Sequence, residues 1–188
     1  VAGQSTGGNV AVELAYRHPD RVRAVVGVDG GALELQRRWP EWKDCERNLA
    51  PPRLEGTRVD ELAEMLHRHH PDWGEAGVAA TLGNLELLED GTVRPWLTRE
   101  RHLRLLRSLW EHRPSRLLPD LQVPLLLVSA ENGDDWADTR KEEASAAECA
   151  GPHVRVEWVP GDHDLHVQHP EQIARLLLGA VLKADHAP

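Results

Sequence analysis

Residues 3–8 of this 188-residue chain read GQSTGG, with Ser5 two positions after Gly3 and two before Gly7. A serine hydroxyl is a weak nucleophile unless a base activates it and its oxygen is exposed. A sharp strand-to-helix turn exposes the oxygen at the top of a sheet. Side chains two residues before and after the serine would collide in such a turn. The two glycines therefore predict that Ser5 is a nucleophile on a strand-to-helix turn.

The residues that follow the turn predict a helix and then a buried strand. In NVAVELAYRHPDRV (9–22), Val10 and Leu14 recur at helical spacing, and Pro19 ends the helix because the residue before a proline avoids the α region. VRAVVGVDGG (22–31) is short, β-branched and closed by glycines, which indicates a buried strand.

Two later apolar segments predict further strands. They are VPLLLVSA (123–130) and HVRVEWVPG (153–161). Helical compositions follow each of them, at 138–150 and at 170–182. Strands that alternate with helices favour parallel β-α-β units with helices on both faces, so we expect an α/β fold.

The segment 32–118 has a different pattern. Its apolar positions at 59–70 and 99–113 are helix-spaced, and 40–56 is irregular and rich in proline. We interpret it as a helical insertion outside the sheet. Five tryptophans fall in it; they could line an apolar pocket, although the core of a small helical layer is the more common role: Trp39, Trp42, Trp73, Trp96 and Trp110.

Composition excludes several classes of function. The net charge of −9 provides no basic face, so we expect no nucleic-acid partner. No apolar run reaches the length of a membrane span, so we expect no membrane partner. Two distant cysteines, Cys45 and Cys149, do not form a disulfide framework and fit a cytoplasmic location.

These motifs together resemble the α/β-hydrolase superfamily. The resemblance covers Gly3 to Gly31 and resumes at VPLLLVSAENGDD (123–135) and VPGDHDLHVQHPEQIARLL (159–177). It implies that 1–31 and 119–188 form the hydrolase core, and that 32–118 is the helical cap. It also implies a nucleophile, an acid and a histidine in that order, with the backbone N–H of Thr6 as one oxyanion donor.

His163 is the candidate base. It lies at the end of the last predicted strand, in the Gly-x-His setting and a few residues before Pro170-Glu171, as the resemblance implies. His166 and His169 are rivals, and the spacing of the three could also suggest a metal site. We favour the base, and the chain implies no metal and no organic cofactor.

The acid is less well defined by the sequence. The resemblance places it after the strand PLLLVSA, at a spacing that corresponds here to Gly133. Asp134 is the favoured residue and Asp135 the alternative, with Glu131 also near. Asp29 ends the earlier strand, where some relatives carry the acid, but a role as a cap or loop hydrogen-bonder is the stronger interpretation.

The predicted function is that of a serine hydrolase acting on a small, apolar ester or related carbonyl substrate. Alternatives are a non-catalytic small-molecule binding protein of the same fold and an inactive gene fragment. In the superfamily several strands and a second oxyanion loop precede the serine, whereas only Val1 and Ala2 precede Gly3 here. We therefore expect a strand-rich N-terminal half in the full protein, and an isolated chain that is poorly stable or inactive.

Overall fold

The computed structural model describes residues 1–132 and 135–184, with the side chains of the last two excepted. Its strands, numbered along the chain, are β1 (Ala2–Gln4), β2 (Val25–Val28), β3 (Leu85–Leu87), β4 (Val93–Pro95), β5 (Leu125–Glu131) and β6 (Val154–Pro160). Four of them form a parallel sheet in the order β1-β2-β5-β6. The α/β fold with a parallel sheet is confirmed, and β3 and β4 form a separate antiparallel pair.

Helices form at each segment with a helical pattern, and one helix, Trp42–Leu49, forms within 40–56, which the sequence indicated as irregular. The helices are α1 (Thr6–Arg17), α2 (Leu35–Arg38), α3 (Trp42–Leu49), α4 (Val59–His69), α5 (Glu75–Leu82), α6 (Arg99–Glu111), α7 (Ala137–Glu148), α8 (Leu165–Gln168) and α9 (Pro170–Ala184). Short 3-10 turns lie at Pro19–Arg21, Pro114–Arg116 and Leu118–Asp120. As predicted, α1 ends just before Pro19. It begins at Thr6, directly after Ser5.

Both faces of the parallel sheet are buried. One face carries Val25 and Leu125, which pack with Val12 of α1 and Ala147 of α7. The other face carries Val26, Val28 and Val128, which pack with residues of the segment after β6, among them Leu165 and Ile173. Sheets of this kind need helices on both sides, which explains why β2 and β5 are almost continuously apolar.

The chain divides into two compact units. One comprises Val1–Pro40 and Leu109–Pro188, and it holds the parallel sheet. The other is Glu41–Ser108, which contains α3, α4, α5 and the β3-β4 pair. The second unit lies within the expected insertion 32–118. It is not purely helical, because the turn that contains Gly91 joins two short strands.

In the part of the chain that the structure describes, no helix combines the length and the apolar character needed to cross a bilayer.

Candidate active site

Ser5 is the only residue between β1, which ends at Gln4, and α1, which begins at Thr6. Its φ of 52° and ψ of −124° lie in a region that side-chain-bearing residues rarely adopt. Two backbone hydrogen bonds fix the turn: Ser5 N–H donates to the Val28 carbonyl, and Gly8 N–H donates to the Ser5 carbonyl, both at 2.9 Å. This is the sharp strand-to-helix turn that the motif predicts.

Glycines surround Ser5 because backbones approach closely there. A Cβ on Gly3 would lie 2.1 Å from the carbonyl carbon and oxygen of Gly7, and a Cβ on Gly30 would lie 2.1 Å from the Ser5 carbonyl oxygen. One on Gly8 would lie 2.7 Å from Gly31 N. The expectation that a side chain at Gly7 would also collide is wrong, since a Cβ there meets nothing within 4 Å. It is the backbone of Gly7, and not its missing side chain, that leaves no room for a side chain on Gly3.

Asp29 follows β2 directly and is almost fully buried, with 6% of its surface exposed. Its φ is 42°, and Ser5 and Asp29 are the non-glycine residues of the described chain with positive φ. Its carboxylate accepts hydrogen bonds from Ala130 N–H at 3.0 Å and from Arg140 Nε at 2.9 and 3.1 Å.

His163 lies on the loop after β6 and contacts Asp29. Its Nδ1 is 2.7 Å from Asp29 Oδ2, so Nδ1 donates and Nε2 is the ring nitrogen available to exchange a proton with a nucleophile. The side chain of His163 is 47% exposed. Its backbone carbonyl accepts a hydrogen bond from Gln4 Nε2 at 3.1 Å, which joins the histidine loop to the residue before Ser5.

The Asp29–His163 contact governs the protonation of both groups. Burial raises the pKa of Asp29, but the hydrogen bonds from His163, Ala130 and Arg140 outweigh it and hold that pKa below its ordinary value. Burial lowers the pKa of His163, but the hydrogen bond and charge of Asp29, helped by Asp164, raise it above its ordinary value. Asp29 is therefore a carboxylate near neutral pH, and it stabilises the imidazolium form of His163.

Asp29, and not a residue after β5, is the carboxylate that the described structure places on His163. The residue on His163 Nδ1 is Asp29, which sequence reasoning favoured as a cap or loop residue. Asp134 lies outside the described residues. Asp135 is exposed, and its backbone carbonyl accepts a hydrogen bond from Arg38. The sequence shows that Asp29 ends a buried strand, in VDGG (28–31), but it does not show that this strand pairs with β1.

The sequence also pointed to Thr6, His166 and His169 as candidates for the site. Thr6 is the first residue of α1, where a backbone N–H lacks an acceptor within the helix. His169 Nε2 donates a hydrogen bond to the Pro160 carbonyl at 2.7 Å. The side chain of His166 is exposed. Across 1–132 and 135–184, no three or more His, Cys, Asp or Glu side chains are grouped to hold a metal ion.

Comparison with solved structures shows the same fold. E-2-(acetamidomethylene)succinate hydrolase aligns with a TM-score of 0.71 at 19% identity, covering 96% of this chain and 65% of that one. The thioesterase domain from the curacin biosynthetic pathway gives 0.64 at 18%, covering 94% and 65%. A marine microorganism esterase gives 0.62 at 20%, covering 95% and 68%. This chain thus spans less than two thirds of the first two. No curated protein matches it.

A match to a family model assigns the chain to a family, in agreement with the fold and with the turn at Ser5. The model of the alpha/beta hydrolase family matches residues 1–176, which include Ser5, Asp29 and His163. The chain belongs to the alpha/beta hydrolase family.

Proposed function

We propose that this chain carries the catalytic residues of a serine hydrolase, with Ser5 as nucleophile, His163 as general base and Asp29 as the acid that orients it. The proposal replaces Asp134 by Asp29. The observation that carries it is the 2.7 Å contact between His163 Nδ1 and Asp29 Oδ2. The backbone carbonyl of His163 also accepts a hydrogen bond from Gln4, the residue before Ser5.

The chemistry follows from these positions. His163 Nε2 takes the proton of the Ser5 hydroxyl as the oxygen attacks the substrate carbonyl, and the resulting imidazolium is stabilised by Asp29. The negative oxygen of the tetrahedral intermediate accepts a hydrogen bond from Thr6 N–H at the positive end of α1. The imidazolium then gives its proton to the leaving group, which departs. A water molecule, activated in the same way, attacks the acyl-enzyme and releases the acid and Ser5.

Parallel strand topology supports this grouping. Ser5, Asp29 and His163 follow β1, β2 and β6 respectively, and the carboxyl ends of parallel strands share one edge of the sheet. Ligands of α/β folds bind at this edge. Asp29 follows β2, which is hydrogen-bonded to β1, so the proposed acid lies at the end of the strand next to the one that leads to Ser5.

For the substrate we propose a small, apolar ester or a related carbonyl compound in the cytoplasm. The solved structures of similar fold are named as hydrolase, thioesterase and esterase, which are compatible with acyl transfer to a serine. Esters are the easiest acyl donors, so an activated ester is the first substrate to test.

The test is labelling by a fluorophosphonate probe together with burst kinetics on p-nitrophenyl acetate, in the natural polypeptide that contains these residues. We expect Ser5 to be labelled and a burst equal to the enzyme concentration. Ser5→Ala abolishes both, whereas Ser145→Ala, an exposed serine of α7, changes neither. Folded protein that binds an ester without labelling or burst would instead be a small-molecule binding protein.

A further inference from the structure

Arg140 is a buried cation that contacts the proposed acid. It belongs to α7 and has only 7% of its surface exposed. Its Nε lies 2.9 Å from Asp29 Oδ1 and 3.1 Å from Oδ2. Burying a guanidinium costs free energy unless it is paired and hydrogen-bonded, so the buried position of Arg140 needs a physical explanation.

We propose that Arg140 is a positioning residue of the active site, which holds the Asp29 carboxylate in the orientation that lets Oδ2 accept the proton of His163 Nδ1. This inference rests on the proposed function, because it assigns a role within the same Ser-His-Asp arrangement.

The donors around Asp29 support this role. Oδ1 accepts hydrogen bonds from Ala130 N–H and from Arg140, while Oδ2 accepts from Arg140 and from His163. The carboxylate is thus held on its buried side by donors from β5 and α7, and Oδ2 is directed toward His163. A carboxylate without these donors could rotate about its side-chain bonds and lose the contact.

Arg140 is itself anchored. Its Nη1 donates to Asn132 Oδ1 at 3.3 Å, just beyond the end of β5. The acid is therefore fixed to the neighbouring strand and to the helix that follows it. The guanidinium suits this task because its donors are planar and always charged, whereas a lysine offers one point charge.

Arg140 also acts on the base through its charge. Asp29 and Asp164 raise the pKa of His163, and the charge of Arg140 opposes them, in addition to the effect of burial. Removing the charge alone would therefore raise the pKa of His163, whereas loss of the contact with Asp29 would lower it. The direction of the change thus distinguishes a charge that acts only at a distance from a residue that holds the carboxylate against His163.

The experiment compares Arg140→Met, which removes charge and donors, with Arg140→Lys, which keeps the charge. Arg155→Met is the matched control, since Arg155 is an exposed arginine of β6. The ring protonation of His163 is followed by NMR on protein with labelled histidine, with the signal assigned by His163→Gln. Steady-state kinetics on p-nitrophenyl acetate gives kcat and KM separately.

We expect Arg140→Met to shift the titration of His163 to lower pH, because the contact with Asp29 that raises its pKa is lost, and to lower kcat by roughly 100-fold with little change in KM, as misplacement of a catalytic group does. Arg140→Lys should titrate more like the wild type and lose less activity. A folded Arg140→Met in which His163 titrates at the same or a higher pH and kcat is unchanged would overturn the inference. If Arg140→Met does not fold, Arg140→Lys decides, and wild-type kcat in that variant overturns it.

The two proposals fail in different ways. If the wild type hydrolyses no ester but Arg140→Met still shifts the titration of His163 to lower pH, Arg140 orients the Asp29–His163 pair and the hydrolase proposal falls. If hydrolysis by Ser5 is established and Arg140→Met alters neither readout, the hydrolase proposal stands and the role of Arg140 falls.

Discussion

Asp29 Oδ2 lies 2.7 Å from His163 Nδ1, although 134 positions of sequence separate the two residues. The contact depends on the order of the strands, because β2 lies between β1 and β5, and β6 lies at the far side of β5. Asp29 directly follows β2, and its carboxylate accepts a hydrogen bond from Ala130 N–H of the neighbouring strand β5 at 3.0 Å. The carboxylate thus connects the end of β2 with β5 and with the histidine loop after β6.

The backbone supports the functional assignment of both residues. Non-glycine residues with positive φ are uncommon, because each costs about 1–3 kcal/mol and persists only where the surrounding structure holds it in place. In the described ranges the two such residues are the proposed nucleophile and the proposed acid. Strained backbone tends to cluster at active sites, so the positive φ of Ser5 and Asp29 supports the roles proposed for them.

Replacing Asp29 by asparagine tests the acid. Asparagine has nearly the same shape but cannot stabilise the imidazolium, and its amide favours the wrong histidine tautomer. The corresponding change in a serine protease lowers kcat by about 10⁴-fold. We expect a loss of similar size for Asp29→Asn, measured as kcat on p-nitrophenyl acetate, with near-normal circular dichroism.

Asp134→Asn and Asp135→Asn are the matched controls for this change. Both residues follow β5, where the family resemblance placed the acid, and Asp135 is exposed. We expect each variant to keep most of the activity. Near-wild-type turnover in Asp29→Asn together with a large loss in Asp134→Asn would return the acid to its position after β5.

The pH dependence of hydrolysis tests the coupling of Asp29 and His163. The base must be neutral to accept the serine proton, and its pKa is raised above the ordinary 6.5 because the hydrogen bond and charge of Asp29 outweigh burial. Activity should therefore rise with pH through a midpoint above that value. Measuring kcat/KM from about pH 5 to about pH 9 gives the midpoint. A midpoint at or below the ordinary histidine value would contradict the coupling.

Much of the fold could be predicted from the sequence, because its signals are local. The apolar runs at 123–130 and 153–161 correspond to β5 and β6, and the helical periodicity at 170–182 corresponds to α9. The serine turn was predictable for the same reason, since Gly3 and Ser5 are two residues apart. The β3-β4 pair was missed because its strands have three residues each, too few for a period to show.

The acid could not be derived from local signals. An aspartate at the end of a buried strand can cap a loop or face an active site, and the difference depends on which strand lies beside it. The carboxylate of Asp29 has long-range partners, since it accepts hydrogen bonds from Ala130 and Arg140, 101 and 111 positions away. Only the strand order and the register of β2 with β5 bring those donors to it.

Alanine at Gly3 and at Gly7 should have opposite effects. The new Cβ at Gly3 would lie 2.1 Å from the Gly7 backbone, so the turn must open, at a cost of about 1–3 kcal/mol. Gly7 belongs to α1 and has open space, so alanine there should leave stability unchanged or raise it by up to about 1 kcal/mol. Urea unfolding measures stability, and fluorophosphonate labelling reports the exposure of Ser5. Equal loss of labelling in both variants would show that crowding is not the reason for Gly3.

Glu143 is a buried carboxyl group on α7, three positions after Arg140. Its Oε1 accepts the backbone N–H of Glu34 at 2.8 Å. Burial raises its pKa to about 8, with a contribution from the charges of Glu34 and Asp29, although the Glu34 N–H and Arg37 act in the opposite direction. Glu143 is therefore protonated in the folded protein at pH values where it is ionised in the unfolded chain.

This difference predicts that Glu143 lowers stability as the pH rises. A carboxyl group whose folded pKa is raised contributes fully below its unfolded value of 4.5, and that contribution is lost as the pH rises toward about 8. The slope is at most about 1.4 kcal/mol per pH unit. Glu143→Gln keeps the acceptor for Glu34 N–H but does not ionise, so its free energy of unfolding should exceed that of the wild type by more than about 1 kcal/mol near pH 8.

Urea unfolding of wild type and Glu143→Gln at several pH values measures this difference directly. Glu142→Gln is the matched control, because Glu142 is the exposed neighbour on the same helix and should leave the pH dependence unchanged. The two stability curves should converge toward low pH and separate as the pH rises through the window, since only the wild type must release a buried proton or retain it at increasing cost. Parallel curves would mean that Glu143 ionises equally in the folded and unfolded chains, and that its burial in α7 imposes no electrostatic cost.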